Sequence, residues 1–264
     1  DVRVVTMADS EPTERPVPVE AVGRDRPFVV RYPQVALAGR RLAADADVVY
    51  ATATYAAAAA ASLAARKPLV AKLVSDPAYE RAKRYGLFSG SLEEFARRDA
   101  KTLPLKRLRT LSLRRARRIV VPSRYLAEIA ASWGLDRSRI EVLVNPAPPP
   151  QDVQPAPLAP GTVVFVGRLT EQKALPVLID AVAQVPEARL ELVGDGPERA
   201  ELESRVTAAG LDGRVSFRGA QPREAVLAHL AGARAAVLSS AWENLPHAAV
   251  EALSVGTPVV STAV

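Results

Sequence analysis

The 264-residue sequence contains no cysteine and only two histidines, His229 and His247. Without cysteine, disulfide frameworks, thiolate zinc sites and cysteine nucleophiles are excluded. With so few histidines, a multi-His metal site is hard to build, so carboxylates and phosphates would be the ligands of any ion. We therefore expect no protein-bound metal.

Long apolar runs are also missing, since the Ala-rich stretch 56–65 is far shorter than the roughly 20 residues that a membrane-spanning helix needs. The chain opens on the strand-like DVRVVT and stops as a second strand pattern, TPVVSTAV, finishes. We expect a fragment that lacks both natural ends. The absence of cysteine fits a reducing compartment, so we expect a cytoplasmic protein, soluble or peripheral on the inner face of the membrane.

The net charge of +6 is concentrated in one segment, Lys101–Arg118. Its basic residues are Lys101, Lys106, Arg107, Arg109, Arg114, Arg115, Arg117 and Arg118. They form either a solvated helix face or a surface that binds an anionic membrane or a charged acceptor. The segment contains no aromatic residue to stack on bases, so we expect no nucleic-acid partner.

Short β-branched runs alternate with longer helical patterns after Pro160. The runs are GTVVFVG, ARLELVG, RVSFRG, ARAAVLS and TPVVST. Continuous Val, Ile and Leu suit strands buried on both faces, and the intervals are long enough for the crossovers of a parallel sheet. Between the first two runs, EQKALPVLIDAVAQV places Leu175, Leu178, Ile179, Val182 and Val185 in one stripe at helical spacing.

The N-terminal part repeats this alternation, with strand patterns at VRVVT, ADVVYA, PLVAKLV, RIVVPS and IEVLVN. The Pro-rich segment NPAPPPQDVQPAPLAP favours an extended, semi-rigid connector. We therefore predict an α/β protein of two domains, residues 1–145 and 161–264, joined by a linker at 146–160. A second Pro-rich segment, DSEPTERPVPVEAVGRDRP, predicts a surface loop.

Open parallel sheets bind ligands at the carboxyl ends of their strands, so the loops there are the candidates for function. The loop GRLTEQK has Gly167 at the strand exit and two cations, Arg168 and Lys173, around a helix start. A forked guanidinium and a mobile ammonium together suit a diphosphate, although both could be solvated surface charges. The next loop, GDGP, brings Gly194 and Asp195 before a helix; this pattern is typical of nucleotide contacts and also of plain turns.

The segment SSAWENLPHAAVEALSVGTPVV carries two acids, Glu243 and Glu251. If a helix begins near Pro246, its unpaired amides and dipole favour a phosphate. Glu243 would then reach a sugar beside that phosphate, and Glu251, over a turn into the helix, a second group such as a ribose. The alternative is a capping acid and an ordinary exposed helical Glu.

These motifs, in this order, resemble the family 4 retaining glycosyltransferases of the GT-B fold, which have two Rossmann-like domains with parallel sheets. The likeness runs through VFVGRLTEQKALPVLIDA, LELVGDGPERAEL and WENLPHAAVEALSVGTPVVST, whose last segment matches the Glu-x7-Glu signature of that family. In the N-terminal half, ADVVYATAT, KPLVAKLVSDPAYERAKRYG and RIVVPSRYLAEIAASWGLDRSRIEVLVNP resemble the acceptor domain. The family usually has Lys-Gly where this chain has Lys173-Ala174. The first β-α unit of the acceptor domain and the end of the donor domain are expected to lie outside the chain.

The resemblance implies that Arg168 and Lys173 bind the diphosphate, that Glu251 binds the ribose, and that Glu243 contacts the transferred sugar. Gly167, Gly194 and Asp195 would belong to the donor site, and Asn244 and Leu245 would lend backbone amides. On the acceptor side it implies Asp76 and Tyr79.

It further implies a retaining, metal-independent transfer from a UDP- or GDP-sugar, with no tightly bound cofactor. The acceptor would be a saccharide, a lipid-linked saccharide or a small molecule. Two alternatives stay open: a GT-B phosphorylase or epimerase, and a non-catalytic module that binds a sugar nucleotide or docks on a membrane.

Overall fold

The computed structural model describes residues 1–8, 16–90, 92–96, 100–146, 149, 152–243 and 246–263. These residues form two compact units, Asp1–Val144 and Asn145–Val264. Each unit combines helices with strands, and the paired strands of the described residues run parallel. The predicted α/β fold with parallel sheets is confirmed.

The first unit carries two groups of strands. The strands are β1 (Val4–Ala8), β2 (Val19–Gly23), β3 (Val49–Ala51), β4 (Leu69–Lys72), β5 (Arg118–Val121) and β6 (Ile140–Val142). The helices are α1 (Phe28–Ala43), α2 (Tyr55–Ala65), α3 (Pro77–Arg84), α4 (Leu92–Ala96), α5 (Leu103–Arg114) and α6 (Arg124–Ser132). In the described residues, β1 pairs with β2, and the others pair in the order β3-β4-β5-β6.

Strand β2 corrects one prediction, because it lies inside a segment that we expected to be a surface loop. Pro16 and Pro18 precede it, and these prolines favour a loop, so the short alternation of apolar residues after them was not recognised as a strand. Val19 pairs with Val4 and Gly23 with Ala8, so the strand adds a full parallel register to β1.

The second unit forms one sheet in the order β11-β10-β7-β8-β9 within the described residues. Its strands are β7 (Thr162–Val166), β8 (Arg189–Val193), β9 (Val215–Gly219), β10 (Ala235–Leu238) and β11 (Val259–Ser261). Its helices are α7 (Leu175–Ala183), α8 (Arg199–Ala208), α9 (Arg223–Gly232) and α10 (His247–Ser254). From β7 the chain adds β8 and β9 on one side and then returns to add β10 on the other. The strand order therefore reverses between β7 and β10, which is where an open α/β sheet leaves a crevice for a ligand.

The helix patterns of this unit are confirmed with small changes at their ends. Leu175, Leu178, Ile179 and Val182 are buried on one side of α7 as predicted, whereas Val185 is exposed because the helix ends at Ala183. Helix α8 begins at Arg199, after the GDGP loop, as the sequence predicted.

The described Pro-rich residues 152–160 belong to the second unit. They form neither helix nor strand, and the N–H of Ala156 donates to the carbonyl of Ala228 at 2.9 Å. A Cβ placed on Gly232 would lie 2.4 Å from the carbonyl oxygen of Ala156, and Leu158 packs on the core around Leu230. This stretch therefore packs against α9. Residues 147, 148, 150 and 151 of the predicted linker lie outside the described residues.

Candidate active site

The reversal of strand order in the second unit brings the loops after β7 and β10 side by side. A pocket of about 200 Å³ lies at this edge of the sheet. It is lined by Leu238, Ser240, Glu243, Pro246, Ala249, Val259, Ser261 and Thr262. The walls are therefore the strand ends, the loop before α10 and the first turns of that helix.

Two of the predicted catalytic residues meet across these loops. The Nζ atom of Lys173 donates to Oε1 of Glu243, although the two residues are 70 positions apart in the chain. Each side chain is only 16% exposed. This largely buried ion pair places a cation and a carboxylate at one point of the crevice.

Further hydrogen bonds fasten the same two loops. The hydroxyl of Ser240 donates to Oε1 of Glu243 at 2.8 Å, and the hydroxyl of Ser239 donates to the carbonyl of Lys173 at 2.7 Å. Gln172 accepts from the N–H of Ala241 at 2.8 Å through its backbone carbonyl, and its side-chain Nε2 donates to the carbonyl of Trp242 at 3.1 Å. Ser239, Ser240 and Gln172 could not be selected from the sequence, because their importance depends on contacts between loops that are distant in the chain.

The loop that carries Arg168 is fastened to the loop after β8. The N–H of Gly167 donates to the carbonyl of Val193 at 3.0 Å, and the N–H of Leu169 donates to the carbonyl of Asp195 at 3.1 Å. Arg168 lies between these two anchored residues and is exposed. The backbone of Arg168 is therefore anchored at the carboxyl edge of the sheet, and its side chain is exposed there.

Gly194 and Gly196 allow these two loops to approach so closely. Gly194 has φ +138°, and a Cβ there would lie 1.9 Å from the carbonyl oxygen of Gly167. A Cβ on Gly196 would lie 2.2 Å from the carbonyl oxygen of Leu169. The side chain of Asp195 closes the turn by accepting from the N–H of Gly196 at 2.7 Å. The glycines of GDGP thus have a packing role that the sequence pattern alone did not separate from a plain turn.

Acidic residues flank the same loop. The N–H of Glu198 donates to the carbonyl of Leu169 at 3.2 Å. Burial raises the pKa of the Glu198 carboxyl, and the negative charges of Glu201 and Glu171 raise it further. The charged form of Glu198 is therefore disfavoured beside the predicted diphosphate site.

Ala174 follows Lys173 in a left-handed backbone conformation, with φ +44° and ψ +43°. This is the position at which the resembling family usually has glycine. A residue with a Cβ pays about 1–2 kcal/mol in this region, whereas glycine adopts it freely. The strain lies in the link between the 3-10 turn Glu171–Lys173 and α7.

Replacing Ala174 with glycine is expected to raise the free energy of unfolding by about 0.5–1 kcal/mol. The relief of the left-handed strain exceeds the added entropy of glycine in the unfolded chain. Urea denaturation measures the change, and Ala181→Gly inside α7 is the matched control, expected to lower stability by about 1 kcal/mol. Equal destabilisation by both substitutions would contradict the left-handed turn.

The second signature acid, Glu251, lies on α10 and pairs with Arg223, the first residue of α9. The Nη1 atom of Arg223 is 3.2 Å from Oε1 of Glu251, whose side chain is 19% exposed. Helix α10 begins at His247 after Pro246, as predicted. Asn244 and Leu245, predicted to supply backbone amides, lie outside the described residues.

The predicted acceptor-side residues, Asp76 and Tyr79, are both buried in the first unit. Asp76 caps α3 by accepting from the N–H groups of Ala78 and Tyr79, and it forms an ion pair with Arg109. Burial raises the pKa of Asp76 and lowers that of Arg109, while their mutual attraction opposes both shifts. Tyr79 donates to the carbonyl of Gly90 at 3.1 Å. These contacts give both residues a structural role, and a contact with an acceptor stays a prediction.

The basic segment is less uniform than its sequence indicates. Arg109 is buried, with its guanidinium centre 3.8 Å from the ring centroid of Trp133. Arg115 donates to the carbonyl of Lys67 at 3.4 Å, and Arg118 pairs with Glu141 at 2.7 Å. The expectation that Arg109 belongs to a basic surface is therefore wrong, because its guanidinium is buried and forms an ion pair with Asp76 inside the unit.

No described helix is long and apolar enough to cross a membrane. In the described part of the chain, no group of three or more His, Asp and Glu side chains is placed to hold a metal ion. Metal independence stays a prediction.

Two family models match the chain and between them cover almost all of it. The model described as Glycosyltransferase Family 4 matches residues 1–149, and the model described as Glycosyl transferases group 1 matches residues 151–264.

Curated relatives include a 2-deoxystreptamine N-acetyl-D-glucosaminyltransferase from Streptomyces fradiae, 32% identical over 75% of this chain and 51% of its own length. The lipopolysaccharide core biosynthesis glycosyltransferase LpsE from Rhizobium meliloti is 42% identical over 38% of this chain and 29% of its own length. The chain spans about half the length, or less, of the curated relatives it matches.

Among solved structures, HepE from Anabaena in complex with UDP and glucose superposes with a TM-score of 0.74 at 25% identity, covering 93% of this chain and 67% of HepE. Sucrose-phosphate synthase from Thermosynechococcus elongatus shares the fold, with a TM-score of 0.68 at 20% identity over 96% of this chain and 64% of that one. With both halves matched and the signature loops assembled at one edge of the sheet, the chain belongs to the group 1, family 4 glycosyltransferases of the GT-B fold.

Proposed function

We propose that the protein is a retaining glycosyltransferase that moves a sugar from a nucleoside-diphosphate sugar to a saccharide, lipid-linked or small-molecule acceptor, without a bound metal. UDP is the first donor nucleotide to test, because HepE is described in complexes with UDP and UDP-glucose. The acceptor class follows the relatives, whose names give 2-deoxystreptamine in one case and lipopolysaccharide core biosynthesis in another.

The observation that carries the proposal is the contact between Lys173 and Glu243 where the strand order reverses. The leaving diphosphate and the transferred sugar adjoin in the donor, so this contact lets Lys173 serve the first and Glu243 the second. The hydroxyls of Ser239 and Ser240 add hydrogen bonds that hold the loop of Lys173 against the loop of Glu243.

Positive charge is gathered where a diphosphate would depart. Arg168 can fork two donors onto phosphate oxygens, and Lys173 supplies a mobile charge. The N-terminal end of α10 adds a partial positive charge, and no acidic residue of its described first turn cancels it. Positive groups gathered in this way stabilise negative charge as it develops on the leaving group.

The two acids serve the two sugars of the donor. Glu243 accepts hydrogen bonds from hydroxyls of the transferred sugar, while Lys173 binds the phosphate. Glu251 accepts hydrogen bonds from the ribose hydroxyls. In a front-face, oxocarbenium-like reaction, the protein must stabilise the charges that develop around the anomeric carbon, and no protein nucleophile is needed. The described site offers that complementarity.

The direct test incubates the full-length protein with UDP-, GDP- and ADP-sugars and follows both thermal shift and release of free nucleoside diphosphate. We expect one nucleotide series to raise the melting temperature and to be cleaved when acceptor is present. Binding without release would favour the non-catalytic module, and formation of a sugar phosphate from inorganic phosphate would favour a phosphorylase. Nuclear magnetic resonance of the product gives its anomeric configuration, and activity in EDTA reports on metal.

We also propose that the protein works at the cytoplasmic face of an anionic membrane, through the outer face of α5. Leu108 and Leu111 are exposed there, and Arg107 and Arg114 lie on the same side. Apolar side chains between basic ones suit the boundary between acyl chains and anionic headgroups.

Vesicles that contain anionic lipid are expected to retain the protein at low salt and to release it at high salt, because salt screens exposed charges. Leu111→Glu should reduce retention about tenfold, since it adds negative charge and removes an apolar contact. The matched control is Leu37→Glu, at a leucine of similar exposure on α1. Equal retention of both variants and wild type would show that α5 does not bind the membrane and is an ordinary solvated helix.

A further inference from the structure

We propose that Arg223 is a positioning residue of the donor site, which holds the Glu251 carboxylate ready to accept the ribose hydroxyls. The inference rests on the proposed function, because it takes Glu251 as the ribose-binding acid. No motif of the sequence singles out Arg223.

The geometry places Arg223 at the right edge of the sheet. It is the first residue of α9, directly after the loop that leaves β9, so its side chain starts at the carboxyl edge where the donor loops lie. Helix α10 packs against α9, and Glu251 lies in its second turn. The 3.2 Å contact between Nη1 and Oε1 therefore joins the start of α9 to the second turn of α10.

The contact engages Oε1 of the carboxylate, and within the described residues Oε2 is left available. A glutamate side chain that is not held samples several rotamers, and fixing it when the ligand arrives costs binding free energy. An Oε2 atom that is already fixed can accept hydrogen bonds from ribose hydroxyls without the cost of ordering the side chain. Arg223 also offsets the repulsion that a second anion, the diphosphate, exerts on Glu251 within the same site.

The pair differs from ordinary surface pairs of this unit. Arg205 and Asp180 form a hydrogen-bonded pair between α8 and α7 with side chains 44% and 53% exposed. In the Arg223 pair the acid is only 19% exposed while the cation is 57% exposed. An exposed ion pair contributes about 0–1 kcal/mol to stability, so we expect this pair to add little to the free energy of unfolding. Its expected effect is to orient the largely buried Glu251 carboxylate.

The experiment measures the affinity of UDP or GDP, whichever binds wild type more tightly, and of its 2′,3′-dideoxy counterpart. We expect Arg223→Ala to weaken the ribonucleotide roughly 3- to 10-fold and to leave the dideoxynucleotide unchanged, because only the former uses Glu251. Arg223→Lys should restore part of the loss. Arg223→Ala should add nothing in a Glu251→Ala background, and Arg205→Ala, which breaks the comparison pair, should change neither affinity.

The two proposals fail differently. If Glu251→Ala keeps the full preference for ribonucleotide, or if no nucleoside diphosphate binds wild type, the donor-site assignment itself is wrong. If Glu251→Ala loses the preference but Arg223→Ala keeps it, or weakens both nucleotides equally, only the positioning role is overturned. Because Arg223 is largely exposed, its variants are expected to melt as wild type does, and Arg223→Gln repeats the test with a smaller loss of packing.

Discussion

Replacing Glu243 with alanine is expected to lower kcat by about 10³-fold while nucleoside-diphosphate affinity stays within about threefold of wild type. The carboxylate would contact the transferred sugar, so its loss removes stabilisation at the reacting carbon and leaves the diphosphate contacts in place. Freed from Glu243, Lys173 keeps its charge available to phosphate. Steady-state kinetics with the preferred donor, together with calorimetry with the nucleoside diphosphate, measures the two quantities.

Two further variants sharpen this test. Arg168→Ala should weaken both nucleotide affinity and turnover, because the guanidinium would bind the diphosphate in the ground state and during departure. Ser240→Ala removes the 2.8 Å hydrogen bond to Glu243 and keeps the carboxylate, so a smaller loss of kcat is expected. Unchanged turnover in both Glu243→Ala and Arg168→Ala would end the assignment of this crevice as the active site.

Gly194→Ala is expected to destabilise the second unit by about 3 kcal/mol and to lower its melting temperature by about 10 °C. Its Cβ would lie 1.9 Å from the backbone carbonyl of Gly167, where no flexible side chain can move aside, and φ +138° is unfavourable for alanine. The strand exits of β7 and β8 would have to separate, which also displaces Arg168. Calorimetric melting with and without nucleotide records both effects.

Gly213→Ala is the matched control for this substitution. A Cβ there meets no atom within 4 Å, and the position precedes β9 at the opposite edge of the sheet. We expect a change within about 0.5 kcal/mol. If Gly194→Ala melts as this control does, the close approach of the two loops is not a property of the folded protein.

Much of the fold could be predicted because its strands are short apolar runs buried in parallel sheets. Runs such as GTVVFVG and ARLELVG need no long-range information, since burial on both faces shows in the residues themselves. Strand β2 was missed for the opposite reason. Val19–Gly23 gains its strand character from pairing with β1, and the prolines before it favour a loop when the segment is considered alone.

The site divides in the same way between local and long-range information. Arg168, Lys173, Glu243 and Glu251 could be selected because each lies in a loop or helix start after a predicted strand. Their partners could not, since the strand order decides which loops touch. Lys173 meets Glu243 because β10 returns to lie beside β7, and Arg223 meets Glu251 because α9 and α10 pack together.

The attachment of residues 152–160 to α9 fixes where the second unit can be cut for separate expression. A fragment beginning at Gly161 would strip the cover from Leu230 and leave the Ala228 carbonyl without its hydrogen bond from Ala156. Cloning boundaries for the isolated second unit should therefore fall upstream of Asp152, even though the sequence there predicts a semi-rigid connector between domains.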